Sequence, residues 1–316
     1  MEQVWEMLSD PNTRWVVAAC FLLGLSSGVL GCFAYLRKHS LMGDAVAHAA
    51  LPGICVGYML YGSKSMGVFL IAAAVAGLLC SFCIGMITKY SRIKEDSALG
   101  LVLSVFFGFG ILLLTRIQHS PKGNQSGLDA FLFGKAASLV GADVNIMMGM
   151  AVILLVITGL LFKEFKLLSF DPNFGRGIGY PMGFLNAVLM LLIVLSVVIG
   201  LQAVGVVLMS AMLITPAIAA RYWTERLDRM ILIAGAFGAI SGVLGSLIST
   251  LITNMPTGPV IVLTATALFL LSLLFAPRRG LLMKLIRRYR TRQQIEQEIH
   301  AESYHRIRSY EGGGSV

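Results

Sequence analysis

The chain reads SLMGDAVAHAALPG over residues 40–53, between two strongly apolar runs. Asp44 and His48 are four residues apart in this stretch, so on a helix their side chains share one face, one turn apart. An ionisable residue in a membrane-spanning segment costs about 2.5–3.5 kcal/mol on insertion scales and marks a functional site by default. A carboxylate oxygen and a neutral imidazole nitrogen suit a divalent cation. The pair is therefore a candidate metal site.

Two simpler interpretations of the pair stay open from the residues alone. Asp44 could cap the N-terminus of a helix, and His48 could be an interior histidine hydrogen-bonded to a carbonyl. The pair also supplies only two ligands, whereas most metal sites need four or more. Small side chains around it would leave room for a ligand to approach: Ala45, Ala47, Ala49 and Ala50.

The composition is that of a polytopic, all-α membrane protein. Of the 316 residues, 57% are hydrophobic and 13% are charged, against about 45–50% and about 25% in soluble domains. The net charge of +9 does not indicate a nucleic-acid partner. The segment after Pro277 holds nine Lys or Arg and four Glu, as the positive-inside rule expects of a cytoplasmic end.

Nine apolar segments are predicted to span the membrane. They cover residues 15–36, the Asp44/His48 stretch up to Tyr61, 66–87, 97–115, 143–162, 182–201, 204–220, 230–251 and 258–276. Gly24-x-x-x-Gly28 in the first segment predicts close contact with another helix, and Pro52 with Gly53 predicts a broken or kinked second helix. The segment 204–220 is short and interrupted by Pro216, so it could be re-entrant, which leaves eight spans as the alternative.

Basic residues in the connections predict the orientation and the organisation of the chain. The basic connections are 37–43, 88–95, 163–181 and 221–229, together with the tail. All are expected in the cytoplasm, with the N-terminus outside and the C-terminus inside. The connection 116–142 is then external, and its part 128–140 predicts a helix at the membrane interface. We expect a short N-terminal segment (1–14), a transmembrane permease domain (15–277) and a basic cytoplasmic tail (278–316).

The sequence offers no energy source of its own. It has no phosphate-binding G-x-x-x-x-G-K-[ST] loop and no H-E-x-x-H metalloprotease motif. An intramembrane metalloenzyme would need a third ligand and an acid or base near His48, and no other His, Asp or Glu lies within a clear predicted span. We therefore predict a transport protein rather than an enzyme: a channel, a secondary transporter or the membrane subunit of an ATP-driven transporter.

Three motifs, in order, resemble those of the manganese/zinc permease family of ABC importers. The first is the run 41–53, the second reads FDPNFGRGIG at 170–179, and the third reads VGVVLMSAMLITPA at 204–217. The resemblance covers roughly residues 15–277. The chain departs from the family pattern at Gly175 and Gly177, where the family more often has alanine or bulkier residues.

The resemblance implies a permease of the bacterial cell membrane with a helix arrangement similar to that of the cobalamin and siderophore importers. Asp44 and His48 would bind the transported ion, with Mn²⁺ the first choice, Zn²⁺ the second and iron the third, and no cofactor would be tightly bound. The motif at 170–179 would contact the ATPase through Phe170, Asp171, Gly175, Arg176 and Gly179. We expect close packing of the core helices at Gly43, Pro52, Gly53 and Pro216.

The resemblance also implies partners. They are a second permease subunit (an identical copy or a paralogue), two cytoplasmic ATP-binding subunits and an extracytoplasmic metal-binding protein. Two permeases would bring two Asp44/His48 pairs to one axis and so supply two oxygens and two nitrogens. The alternative function is a secondary metal transporter or channel that works without an ATPase.

Overall fold

The computed structural model describes residues 11–39, 41–62, 65–119, 141–252, 255–277 and 280–284. These residues form eleven α-helices and no strand, as predicted for an all-α protein. The helices are α1 (Pro11–Leu36), α2 (Met42–Tyr61), α3 (Met66–Tyr90), α4 (Glu95–Gln118), α5 (Gly141–Leu160), α6 (Phe162–Phe170), α7 (Pro172–Gly177), α8 (Met182–Val204), α9 (Val206–Trp223), α10 (Leu227–Leu251) and α11 (Thr257–Phe275).

Seven helices in the described part of the chain are long and apolar enough to cross a membrane: α1, α3, α4, α5, α8, α10 and α11. This confirms a polytopic membrane protein. Two other helices have 18 residues or more, namely α2, which carries the Asp44/His48 pair, and α9, which carries Pro216. The count of nine spans therefore stays a prediction.

Several predicted boundaries differ from the structure. The connection predicted at 163–181 is not simply a loop, because it holds the short helices α6 and α7. The charged connection at 88–95 is shorter than predicted, since α3 extends to Tyr90 and α4 begins at Glu95. Helix α1 begins at Pro11, inside the predicted N-terminal segment. The predicted interfacial helix at 128–140 and almost all of the tail lie outside the described residues.

Helices α1 and α10 pack against each other with their backbones almost in contact. A Cβ atom added to Gly24 would lie 2.1 Å from the carbonyl oxygen of Gly238, and one added to Gly28 would lie 2.4 Å from that of Ala234. Because the residue numbers rise along α1 as they fall along α10, the two helices are antiparallel. The close contact predicted from Gly24-x-x-x-Gly28 is confirmed, and only glycine permits this approach.

One end of the bundle gathers several helix termini, and we call it the α6 end. The C-terminus of α1, the N-terminus of α4, helix α6 and the N-termini of α8 and α10 meet there. Four contacts join them: Arg37 Nη1 to the Leu168 carbonyl oxygen (3.0 Å), Arg37 Nη2 to Asn186 Oδ1 (2.7 Å), His39 Nδ1 to Glu95 Oε1 (2.6 Å) and Lys166 Nζ to Asp228 Oδ1 (3.1 Å).

Candidate metal site

Asp44 and His48 lie one turn apart at the start of α2, on the same face. Asp44 Oδ1 and His48 Nε2 are 3.6 Å apart, which is too far for a good hydrogen bond. Metal bonds to such atoms are about 2.0–2.2 Å long, so one cation bound to both atoms would subtend an angle of about 110–130°. That angle is close to tetrahedral, so the spacing suits a shared cation better than a direct contact.

The structure disfavours the two simpler interpretations of the pair. Leu41 occupies the N-cap position of α2, and no side-chain hydrogen bond caps this helix. Within the described part of the chain, Nδ1 of His48 is buried and has no hydrogen-bond partner. The side chains are 17% (His48) and 38% (Asp44) exposed. The pair is thus neither a helix cap nor a fully satisfied interior histidine, and its carboxylate is open to one side.

His48 lies against the middle of α4. Its ring packs edge to face against Phe107 of α4, with the centroids 4.8 Å apart. Phe107 is twelve residues from Glu95, the first residue of α4, which corresponds to about 18 Å at 1.5 Å per residue. The whole of α4 is about 36 Å long by the same measure.

The small residues around the pair serve helix packing. The prediction that they leave room for a ligand is wrong, because all four are completely buried: Ala45, Ala47, Ala49 and Ala50. Gly43 contributes to the same packing, since a Cβ atom there would lie 2.9 Å from Leu213 Cδ2 of α9. At Gly53 it would lie 2.4 Å from the carbonyl oxygen of Ala72 in α3. The open side of α2 is the side of Asp44.

Pro52 and Pro216 lie inside helices that continue through them. The break predicted as one alternative at Pro52 and the interruption predicted at Pro216 are therefore wrong, and the other alternative at Pro52, a kink, stays a prediction. Pro52 packs beside Gly110 of α4, where a Cβ atom would lie 2.8 Å from Pro52 Cδ. Because proline has no N–H, the carbonyl of His48 lacks the donor that residue 52 of a regular helix would supply.

The motif at 170–179 forms the end of α6, all of α7 and the turn after it. Asp171 Oδ1 accepts a hydrogen bond from the backbone N–H of Phe174 at 2.9 Å, so Asp171 caps the N-terminus of α7. Gly175 is buried against Met182, whose Cε would lie 1.8 Å from a Cβ atom at that position. The end of the Met182 side chain thus occupies the space beside the glycine. Gly179 has a φ of +90°, a conformation that favours glycine.

An apolar surface is exposed on this motif, at the α6 end of the bundle. It consists of Phe170, Phe174 and Ile178, with the exposed Arg176 beside it. Large exposed apolar side chains rimmed by polar ones mark interaction sites. The sequence singled out Phe170 and Arg176, and the structure adds the other two.

The described residues contain no group of three or more His, Cys, Asp or Glu side chains that could hold a metal ion. Among these residues, the pair offers two side-chain ligands, Asp44 and His48. Sequence reasoning missed Phe107, because a phenylalanine in an apolar run carries no signal of its own. It also missed the bonds of Arg37 to α6 and α8, since both partners are more than 130 residues away.

Comparisons with known proteins give consistent results. The model of the ABC 3 transport family matches residues 9–276. The chain is 57% identical over 297 residues to the manganese transport system membrane protein MntC of Bacillus subtilis, covering 94% of this chain and 68% of that protein. It is 43% identical over 290 residues to the zinc transport system membrane protein TroC of Treponema pallidum, covering 92% and 97%.

A solved structure has a similar fold. It is that of PsaBC from Streptococcus pneumoniae in complex with Fab, with a TM-score of 0.77 and 35% sequence identity. The match covers 88% of this chain and 97% of that chain. The helix arrangement described above is therefore shared over nearly the whole length of the solved chain.

Proposed function

The chain belongs to the ABC 3 transport family, and from this premise we propose that it is the permease subunit of an ATP-driven importer of divalent metal ions. Mn²⁺ is the first choice of substrate, Zn²⁺ the second and iron the third. The similarity to a manganese transport protein over 94% of the chain supports this order. ATP would be hydrolysed by a partner subunit.

The Asp44/His48 pair is the observation that carries the proposal. Its two ligand atoms are 3.6 Å apart and lie on a side of α2 that is open at Asp44. A cation bound there by one chain would have two side-chain ligands, which is below the usual number. A second permease subunit would supply a second pair, and the cleft between the two subunits would be the path of the ion.

The α6 end of the bundle would face the cytoplasm. It gathers basic connections from several parts of the chain, including Arg37, Lys166 and Arg176, and cytoplasmic connections are enriched in such residues. Two ATP-binding subunits would dock on the exposed surface of Phe170, Phe174 and Ile178. An extracytoplasmic protein would deliver the metal to the opposite end.

The side chains of the pair would act in one transport cycle as follows. The delivered cation sheds part of its hydration shell in the cleft, and Asp44 supplies a negative charge and an oxygen ligand. Neutral His48 supplies Nε2, while its partly buried ring is held by Phe107. ATP-driven movement at the α6 end then opens the cytoplasmic side. Few protein ligands are an advantage here, because conduction requires binding weak enough for release.

The pair by itself does not select Mn²⁺. An oxygen and nitrogen site binds Zn²⁺ more tightly than Mn²⁺ in the general order of divalent metals, so selection must come from geometry, availability or another protein. We assign the selection to the extracytoplasmic binding protein. The permease would then carry whichever ion that protein delivers.

Reconstitution tests the proposed function. The purified chain is placed in liposomes alone, with its ATP-binding partner subunits, and with both these subunits and the metal-binding protein. Uptake of radioactive Mn²⁺ is then measured with and without ATP, and Zn²⁺ and Fe²⁺ are added as competitors. We expect uptake only in the complete system with ATP.

The same experiment distinguishes the importer from the alternative function, a transporter or channel that works without an ATPase. ATP-independent uptake by the chain alone would contradict the importer proposal and would indicate a secondary transporter or a channel. Uptake that needs ATP but prefers Zn²⁺ would keep the importer and reverse the order of substrates.

A further inference from the structure

Arg37, the first residue after α1, is bonded to two distant helices. Its Nη1 donates to the carbonyl oxygen of Leu168 in α6 at 3.0 Å, and its Nη2 donates to Asn186 Oδ1 in α8 at 2.7 Å. The guanidinium is about half-buried, and this burial lowers the pKa of Arg37 from its usual value while Glu95 opposes the change. Hydrogen bonds from a charged donor are stronger than neutral ones, so the group ties α1 firmly to both helices.

Aromatic packing reinforces the attachment of α6 to α1. The ring of Phe33, in the last turn but one of α1, meets Phe165 edge to face at 5.6 Å and Phe162 at 6.4 Å. Phe33 and Phe165 are fully buried. Because packed interiors do not deform continuously, a displacement of α6 would carry the end of α1 with it.

The segment just after Arg37 leads to the metal pair by two routes. Residues 37–41 connect α1 directly to α2, whose first turn holds Asp44. In the same segment, Nδ1 of His39 lies 2.6 Å from Glu95 Oε1, at the first residue of α4. Helix α4 carries Phe107, the ring against His48. The helix that bears the pair and the helix that holds its histidine are thus both attached to residues 37–41.

We propose that Arg37 is the positioning residue that passes movement of α6 and α7 to the Asp44/His48 pair, a role that rests on the proposed function. When the ATP-binding subunits displace α6 and α7, the bonds of Arg37 to Leu168 and Asn186 draw the 37–41 segment along. That displacement shifts the start of α2 and, through His39 and Glu95, the start of α4. The ligand atoms of the pair then move relative to those of the second permease subunit.

Two other cations at this end of the bundle, Lys166 and Lys38, do not make these connections. Lys166 pairs with Asp228 across two half-exposed side chains, which joins α6 to α10 but not to α2. Lys38 is exposed and adopts a positive φ of 62°. Within the described part of the chain, its side chain has no hydrogen bond or ion pair. Lys38→Gln is therefore a matched control, since it removes the same charge from the next residue.

The test measures the coupling ratio, defined as metal ions moved per ATP hydrolysed, in the complete reconstituted importer. We compare wild type with Arg37→Gln, Arg37→Lys, Asn186→Leu and Lys38→Gln. Arg37→Gln should lower the ratio about tenfold, because it removes two bonds from a charged donor. Arg37→Lys and Asn186→Leu should lower it less, and Lys38→Gln should stay within about twofold of wild type.

The coupling ratio separates transmission from folding. A variant that merely destabilises the protein loses uptake and hydrolysis in proportion, so its ratio stays at the wild-type value. A charge rescue adds a second check, because an ammonium and a carboxylate at these positions can form an ion pair. The double variant with Arg37→Lys and Asn186→Asp should recover part of the ratio lost by Arg37→Lys.

Two results would overturn the proposal. An Arg37→Gln ratio within about twofold of wild type, which a proportional loss of uptake and hydrolysis would also give, would remove the transmission role. Equal losses in Arg37→Gln and Lys38→Gln would assign the effect to charge alone. If the wild-type importer moved no metal, the proposed function would fail first and the role of Arg37 with it.

Discussion

The imidazole of His48 meets the ring of Phe107 edge to face, with centroids 4.8 Å apart and an interplanar angle of 79°. Phe107 comes from α4, so this contact fixes the orientation of the histidine on α2 from a neighbouring helix. Nε2 then lies on the side of Asp44, at 3.6 Å from its carboxylate. A metal ligand held in this way binds its ion with less loss of side-chain entropy than a freely rotating one.

Removal of either ligand of the pair should abolish transport. Asp44→Ala or His48→Ala is expected to reduce metal uptake at least about tenfold, since even second-shell changes cost about 10–100-fold in metal affinity. The measurement is Mn²⁺ accumulation normalised to the amount of permease in the membrane. Asp96→Ala and His119→Ala are matched controls near the ends of α4, at exposed positions. Wild-type accumulation by a correctly inserted pair variant would refute the site.

Substitution of Phe107 should weaken metal binding at the Asp44/His48 pair without abolishing it. Phe107→Leu loses the edge-to-face contact, which is worth about 0.5–1.5 kcal/mol, so the KM for metal should rise about two- to tenfold. Phe109→Leu is the control, because Phe109 is exposed on the same helix and lines an apolar groove with residues of α2 and α3. Equal effects of the two substitutions would show that the contact with His48 has no special role.

The membrane fold could be predicted because each long helix is marked by its own hydropathy. The apolar runs that become α1, α3, α8 and α10 need no tertiary information to be found. Asp44 and His48 were also visible, since two ionisable residues at helical spacing in an apolar stretch are costly. The features that can be predicted from the sequence are thus those that depend on neighbours within a few residues.

Features that depend on distant residues could not be predicted. The sequence predicts a loop where α6 lies, because its nine residues mix charged and apolar side chains. It is held by tertiary packing, with Phe165 buried against Phe33. The alanines beside the pair were misjudged for the same reason, since whether a small residue admits a ligand or a helix depends on what packs there.

The close packing of α1 on α10 should contribute to the stability of the folded protein. Gly24→Ala places a methyl group where the carbonyl of Gly238 now lies, and overpacking of this kind costs about 1–3 kcal/mol. The melting temperature in detergent should fall by several degrees, at about 2–4 °C per kcal/mol. Gly100→Ala is the control, because in the described part of the chain a Cβ atom there would meet nothing within 4 Å beyond its chain neighbours and the backbone of its own helix. A melting temperature equal to that of the control would contradict the packing described.

Asp171 should act on coupling through its cap rather than its charge. Asp171→Ala removes the acceptor for the N–H of Phe174, at a cost of about 1 kcal/mol to the start of α7, whereas Asp171→Asn keeps an acceptor. We expect ATP hydrolysis without matching metal uptake in the alanine variant, and near-normal coupling in the asparagine variant.

Arg176→Gln tests the exposed surface directly and should weaken co-purification of the ATP-binding subunits. Unchanged coupling in both Asp171→Ala and Arg176→Gln would make this segment a mere connection.

The two ends of the chain should lie on opposite sides of the membrane. Helix α1 is antiparallel to α10. Helix α11 is antiparallel to α10 as well, because the Thr264 hydroxyl of α11 donates to the Ser241 carbonyl oxygen of α10 while Ile261, earlier in α11, lies against Gly245, later in α10. The start of α1 is therefore at the end of the bundle opposite α6, and the end of α11 is at the α6 end.

The choice between eight and nine predicted spans depends on whether α9 crosses the membrane. The contacts of the neighbouring helices α8 and α10 favour a crossing. It leads through residues 224–226 into α10, whose Asp228 pairs with Lys166 of α6. Helix α8 begins at the same end, where Asn186 accepts from Arg37. The two helices thus leave the α6 end and return to it. If α9 were re-entrant, α10 would begin at the face opposite the α6 end. The ion pair of Asp228 with Lys166 places the start of α10 at the α6 end instead.

Accessibility of tags in sealed cells tests the orientation. A reporter fused after Arg308 should be active only in the cytoplasm, and a tag before Trp15 should be reachable from outside. A third tag in residues 91–94, between α3 and α4, is the control and should behave like the C-terminal reporter, because His39 and Glu95 place that connection at the α6 end. Protection of the N-terminal tag together with the other two would reject nine spans. Exposure of the residue 91–94 tag would place the α6 end outside, where no ATP-binding subunit could reach Phe170 and Phe174.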